Sequence, residues 1–101
     1  MMNKELKDHI KHTLRKKLSS QKEVNKIIIF GSFINSMEPR DIDIAVFMDS
    51  DEPYLSLAMK YRKLTREISK ILPLDIIPIR PEASKISFFD EIEKGEMIYE
   101  K

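Results

Sequence analysis

Residues 27–47 read IIIFGSFINSMEPRDIDIAVF. An apolar run stops at Gly31-Ser32, a short polar segment follows, and Asp41 and Asp43 then stand one isoleucine apart. The alternation in "DIDIAVF" is strict. Ile42, Ile44 and Val46 share one face; Asp41, Asp43, Ala45 and Phe47 share the other, which is strand periodicity. The preceding "KIIIF" is β-branched and closed by glycine, and reads as a short buried strand. Carboxylates at i and i+2 on a strand point the same way, with Cα atoms roughly 6.5–7 Å apart. Uncompensated, they repel and raise each other's pKa. A divalent cation between them removes that cost. Hard oxygen donors suit Mg²⁺, which takes one or two carboxylates together with substrate phosphates and water.

Gly31-Ser32 adds a second component. A glycine after a strand lets a phosphate approach the backbone closely. A helical turn starting in "SFINSM" would offer free N–H groups to an anion, and Ser32 would add a hydroxyl. A phosphate cradle and a carboxylate pair therefore lie within about a dozen residues of one another along the chain.

Outward from this core, Leu6, Ile10, Leu14 and Leu18 recur every four residues. They predict an amphipathic helix over about residues 4–19. After "DIDIAVF", Ser50 or Asp51 is placed to cap a helix with Pro53 in its first turn. That helix runs through "YLSLAMKYRKLTREISKIL" with Leu57, Tyr61, Leu64, Ile68 and Ile71 as its stripe. "LDIIPI" is a third strand with Asp75, Ile77 and Ile79 on one face. Pro78 cannot donate to a ladder, which puts this strand at an edge. Ser87 and Asp90 have capping-box spacing. "FFDEIEK" reads as a short helix closed by Gly95, and "EMIYE" as a last strand or extended tail. The order α-β-β-α-β-α argues for an α+β, sandwich-like arrangement in which one sheet packs against helices.

If the third strand neighbours "DIDIAVF", Asp75 joins Asp41 and Asp43. Three carboxylates on adjacent strands can hold two metal ions about 3.5–4 Å apart, which clamps both oxygens of an in-line phosphoryl displacement.

Composition sets the limits. The 101 residues fit one domain, with the helix at about 4–19 and a core at about 24–101. Eighteen basic and 17 acidic residues leave a net charge of +1, so no global field draws the chain onto nucleic acid or a membrane. There are no cysteines, which excludes disulfides and thiolate metal sites. No signal peptide or membrane span is legible, and a cytoplasmic location is expected.

Gly31-Ser32, Asp41-Ile42-Asp43 and the later Asp75 together resemble the nucleotidyltransferase superfamily of DNA polymerase beta. Within it, the chain is similar to the minimal nucleotidyltransferase (MNT) family of short prokaryotic proteins. "FFDEIEKGEMIYEK" also resembles that family's closing segment of short helix, glycine and terminal tyrosine. Many members follow Gly-Ser with a small residue, an arginine and a glycine, where this chain has "FINSM". Members often carry a serine before the first aspartate, where this chain has Arg40, a positive charge near the phosphates.

The resemblance implies a nucleotidyltransferase fold and Mg²⁺-dependent transfer of a nucleoside monophosphate, AMP from ATP, to an acceptor hydroxyl. Asp41 and Asp43 would hold Mg²⁺, Asp75 would complete a second metal site and help deprotonate the acceptor, and Gly31, Ser32 and Arg40 would bind the nucleotide. It also implies a helical HEPN-domain partner, with this chain as the antitoxin of a toxin–antitoxin pair and the partner as target of AMPylation. The alternative is an MNT-fold antitoxin that neutralises its partner by binding alone. No direct nucleic-acid partner is expected, since basic and aromatic residues do not interleave.

Other polar groups have plainer readings. His9 and His12 lie three apart on a helix but lack a third ligand. Glu38 reads as a loop charge, and Arg62, Lys63 and Arg66 as a solvated helix face. The methionines are filler.

Overall fold

The computed structural model describes residues 2–81 and 89–101. The elements run α1 (Lys4–Ser19), β1 (Val24–Phe30), α2 (Ser32–Asn35), β2 (Ile42–Met48), α3 (Tyr54–Leu64), α4 (Arg66–Ser69), β3 (Leu74–Ile79), α5 (Phe89–Glu93) and β4 (Glu96–Glu100). The strands form one mixed sheet in the order β3-β2-β1-β4. β1 pairs antiparallel with β2 and β4, and β2 pairs parallel with β3. The strand containing Pro78 is an edge, as its missing N–H requires.

Strand alternation divides the apolar residues between two faces. Ile42, Ile44, Val46 and Met48 of β2 enter the larger core with Ile10, Leu14 and Leu18 of α1, Leu57 and Tyr61 of α3, and Ile68 of α4. The opposite face carries a smaller cluster of Phe30, Ala45, Ile79 and Ile92, covered by α5. A register irregularity between Val24 and Lys26 lets Val24, Ile27 and Ile29 all reach the larger core.

The expected amphipathic helix is α1, capped by Asn3, whose side chain accepts from the Leu6 amide at 2.8 Å. The helix expected from Tyr54 to Leu72 breaks at Thr65. The Thr65 hydroxyl donates to the Tyr61 carbonyl at 2.8 Å, and the Thr65 amide is shared between the Tyr61 and Arg62 carbonyls. Such local bonding competes with the helical ladder. Because α4 ends at Ser69, Ile71 falls outside the stripe and is 42% exposed. The expected cap is also not made. Pro53 occupies the N-cap position of α3 without a side-chain cap, and Ser50 accepts from the Glu52 amide instead.

Ser87, the first member of the expected capping box, lies outside the described residues. Gly95 follows α5, but not with the positive φ of a helix-ending glycine. It is required for space, since a Cβ there would lie 2.4 Å from the Ile29 carbonyl oxygen.

Tyr61 and Lys60 tie α3 to the turn between α1 and β1. Both donate to Glu23 Oε2, at 2.7 and 2.9 Å. Among the described residues, no helix is long and apolar enough to cross a membrane.

Candidate active site

The face of β2 opposite the larger core carries Asp43, Ala45 and Phe47. Ala45 and Phe47 are covered by the smaller cluster, whereas Asp43 stays half-buried at the open end, and Asp41 lies immediately before the strand. The parallel pairing sets Asp43 directly beside Asp75, as Ile42 beside Leu74 and Ile44 beside Ile76. Adjacent strands lie about 4.8 Å apart, so the two carboxylates leave neighbouring backbones on one face. The third strand does therefore neighbour the second, and Asp75 joins the pair.

Gly31 closes the site from the β1 side. Its φ of 80° and ψ of −154° belong to a region essentially reserved for glycine. A Cβ at Gly31 would lie 2.5 Å from Asp43 Oδ2, so the bare backbone is what admits the carboxylate. The next residue, Ser32, donates its hydroxyl to Asp41 Oδ1 at 3.3 Å. Glycine, serine and both aspartates thus form one contact set, joined by the loop at 36–41.

The expected helical turn is present as α2, one turn long. The amides of Ile34 and Asn35 both return to the Gly31 carbonyl. Phe33 is fully buried in the larger core, so "FINSM" is anchored through its aromatic ring. Lys7 of α1 holds the same segment from outside. Its ammonium donates to the carbonyls of Phe33 and Ser36, both at 2.8 Å, and sits 5.4 Å from the centre of the Phe33 ring. The amide of Met2 adds a bond to the Met37 carbonyl. No local periodicity announces Lys7; it reads as one of many lysines on a polar helix face.

Burial and the negative charges of Asp41, Asp75 and Glu91 push the Asp43 carboxyl up to about 6. Glu91 escaped the sequence reading. Its charge acts on Asp43 from α5, which packs against β1, and nothing in its local sequence signals that. Arg40 stays on the surface, and among the described residues no hydrogen bond or ion pair joins it to a site carboxylate. His9, His12 and Glu38 are exposed.

Among the described residues, no group of three or more acidic or histidine side chains closes into a metal cage. The donor set nevertheless suits Mg²⁺, because that ion is held by one or two carboxylates with water and substrate phosphates completing its shell. An open, mutually repelling carboxylate cluster beside a glycine-serine turn has this character.

The sequence model of the Polymerase beta, Nucleotidyltransferase family matches residues 12–101. The chain belongs to that family. No curated protein sequence matches it. Solved structures with the same fold include the Shewanella oneidensis assembly described as a tri-AMPylated HEPN toxin in complex with MNT antitoxin, at 17% identity and a TM-score of 0.69, covering 94% of this chain and 73% of that one. The toxin–antitoxin MntA-HepT matches at 16% identity and a TM-score of 0.66, covering 93% and 73%. A toxin–antitoxin with AMP-PNP matches at 19% and 0.69, covering 90% and 73%. At these identities the likeness is one of fold. It accounts for the mixed sheet with helices on both faces, and the family membership supports a transferase in general terms.

Proposed function

We propose that this chain is a Mg²⁺-dependent nucleotidyltransferase that transfers AMP from ATP to a hydroxyl on a HEPN-domain partner, acting as the antitoxin of the pair. One observation carries the reading: Asp43 and Asp75 are register partners on parallel strands, beside a glycine whose missing side chain makes room for Asp43. The fold neighbours supply the biological setting, since their descriptions include an AMPylated HEPN toxin, an MNT antitoxin and bound AMP-PNP.

In this reading the Gly31 backbone and Ser32 grip the β- and γ-phosphates. Asp41, Asp43 and Asp75 would hold Mg²⁺, which when bound neutralises phosphate charge. Asp75, exposed on the edge strand, takes the proton of the acceptor hydroxyl. The hydroxyl oxygen bonds to the α-phosphorus, the α–β bridging bond breaks, and pyrophosphate leaves. Positioning and charge stabilisation carry most of the rate in such transfers.

Thermal unfolding with each nucleoside triphosphate, with and without Mg²⁺, tests the reading. Ligand at a hundred times its dissociation constant adds about 2.7 kcal/mol. A Mg²⁺-dependent rise with ATP that Asp43→Asn abolishes is the expected result. No rise with any triphosphate at millimolar concentration would sink the enzymatic reading. It would favour the antitoxin that acts by contact alone, for which the "FINSM" segment without arginine is the supporting observation.

A further inference from the structure

On the helix side of the sheet, α3, α4 and the first residue of β3 enclose an open cleft of about 350 Å³. Arg62, Lys63 and Arg66 line it, over an apolar surface of Met59 and Leu74. The break at Thr65 makes this cleft, because it places Arg62 and Lys63 at the end of one helix and Arg66 at the start of the next.

Among the described residues, none of these three cations has an ion-pair partner. The pairs among those residues are Lys11–Glu96, Lys17–Glu67, Lys60–Glu23 and Lys60–Glu52. Even Glu67, next to Arg66, turns to Lys17. The cleft hydroxyls are committed, Thr65 to the Tyr61 carbonyl and Ser69 to the Arg66 carbonyl. Its polar character is therefore almost wholly cationic.

Position gives the cleft a role. Leu74 packs against the helix-side core, while the next residue, Asp75, faces the opposite side. Among the described residues, β3 is an edge strand with β2 as its neighbour, and no strand lies beyond it. A chain draped over the start of β3 meets the cations on one side and Asp75 on the other. Crossing that edge covers ~10–15 Å, about three to five extended residues.

We infer that the cleft is a second contact for the acceptor, holding an acidic, partly apolar segment of the acceptor polypeptide about three to five residues from the hydroxyl presented to Asp75. This rests on the transferase reading above. The surroundings favour a polypeptide over a nucleic acid. The α3 face continues into Met59, 59% exposed, and Leu55, 66% exposed, at the spacing of one stripe with Arg62. Among the described residues, no aromatic ring lines the cleft to stack a base. Guanidinium forks pair bidentately with carboxylates, and exposed Met and Leu accept an apolar side chain beside them.

The test uses fluorescence anisotropy on the whole chain at low salt. One probe is a fluorescein-labelled decapeptide of Glu and Leu; the other is fluorescein-labelled dT10. The proteins are wild type, Arg62→Glu/Arg66→Glu and Asp43→Asn, with the ATP–Mg²⁺ thermal shift measured on each. The expected result is that the peptide binds wild type and Asp43→Asn alike and at least tenfold more weakly to the double charge reversal, whose ATP–Mg²⁺ shift stays that of wild type. Equal peptide binding by wild type and the double reversal, or none by either up to 1 mM (on the order of the weakest specific affinities), overturns the proposal. So does tighter binding of dT10 that the reversal removes, which would make the cleft a nucleic-acid site. Both substitutions are at exposed positions, and unchanged melting of the double variant separates loss of the cleft from loss of the fold. Loss of the ATP–Mg²⁺ shift in wild type would instead strike the transferase reading, whatever the peptide does.

Discussion

Gly31 lies against Asp43 so closely that a methyl group on its Cα would meet the carboxylate oxygen at 2.5 Å. Two elements of the site, separated by a loop in sequence, are thereby one steric unit. Alanine at Gly31 must also accept a φ of 80°, where a side chain costs about 1–3 kcal/mol. Gly31→Ala should therefore lower the unfolding free energy by that order, read from urea titration, and displace the Asp43 side chain. The ATP–Mg²⁺ thermal shift should vanish with it. A variant of wild-type stability that still binds ATP would refute the contact.

Asp43 gives the protein a pH dependence. Its carboxyl is raised from 3.8 to about 6 by burial and by Asp41, Asp75 and Glu91. An acid with a raised folded pKa is protonated more in the folded state than in the unfolded one. Without metal, stability should therefore fall as pH rises from about 4 to about 6 through this group, and level off above. Asp43→Asn should remove that slope and stabilise the metal-free protein at pH 7 by about 1 kcal/mol, allowing for solvent screening. Urea titrations at pH 4, 5, 6 and 7 measure the slope. Added Mg²⁺ should flatten it in wild type.

Lys7 fastens the segment after Ser32 by two charged hydrogen bonds, to Phe33 and Ser36. Lys7→Met keeps the apolar stem and removes both bonds, which should cost about 1–3 kcal/mol. Hydrogen exchange read by mass spectrometry should show the peptide spanning residues 31–37 exchanging faster, with the β1 and β2 peptides unchanged. Uniform protection in the variant would show that Phe33 alone holds the turn.

Glu23 receives both Tyr61 and Lys60. Burial raises its pKa, but the hydrogen bonds from Lys60 and Tyr61 outweigh that, and the net direction is below 4.5. The stabilisation is thus present above the ordinary carboxylate pKa and is lost as pH falls through the depressed folded value. Tyr61→Phe should cost about 1–2 kcal/mol at pH 7. The gap from wild type should hold down to about pH 5 and shrink below it. A gap independent of pH would mean that the Tyr61 hydroxyl contributes regardless of the charge on Glu23.

Much of the fold was legible because side-chain period reports which way a residue faces. The two-residue alternation of "DIDIAVF" already separated Asp41 and Asp43 from Ile42 and Ile44, and that division is the one between the smaller and larger cores. Pro78 announced an edge strand because it lacks a donor. The four-residue recurrence of Leu6, Ile10, Leu14 and Leu18 announced α1. The long helix was misread because Thr65 breaks it through a side-chain bond to Tyr61, and period alone does not reveal where a hydroxyl will turn.

By itself, then, the sequence determined local matters: which residues form strands and helices, which face each side chain takes, and that glycine, serine and two aspartates would lie close together. Only the tertiary structure decided which strand lies beside which. That pairing sets Asp75 next to Asp43, and helix docking seats Lys7 on the turn after Ser32 and brings the charge of Glu91 to bear on Asp43. The physical reason is that period is a property of consecutive residues. Strand register and helix docking are settled by the burial of apolar surface between segments tens of residues apart, and polar groups such as Asp75, Glu91 and Lys7 are carried to their places by that burial.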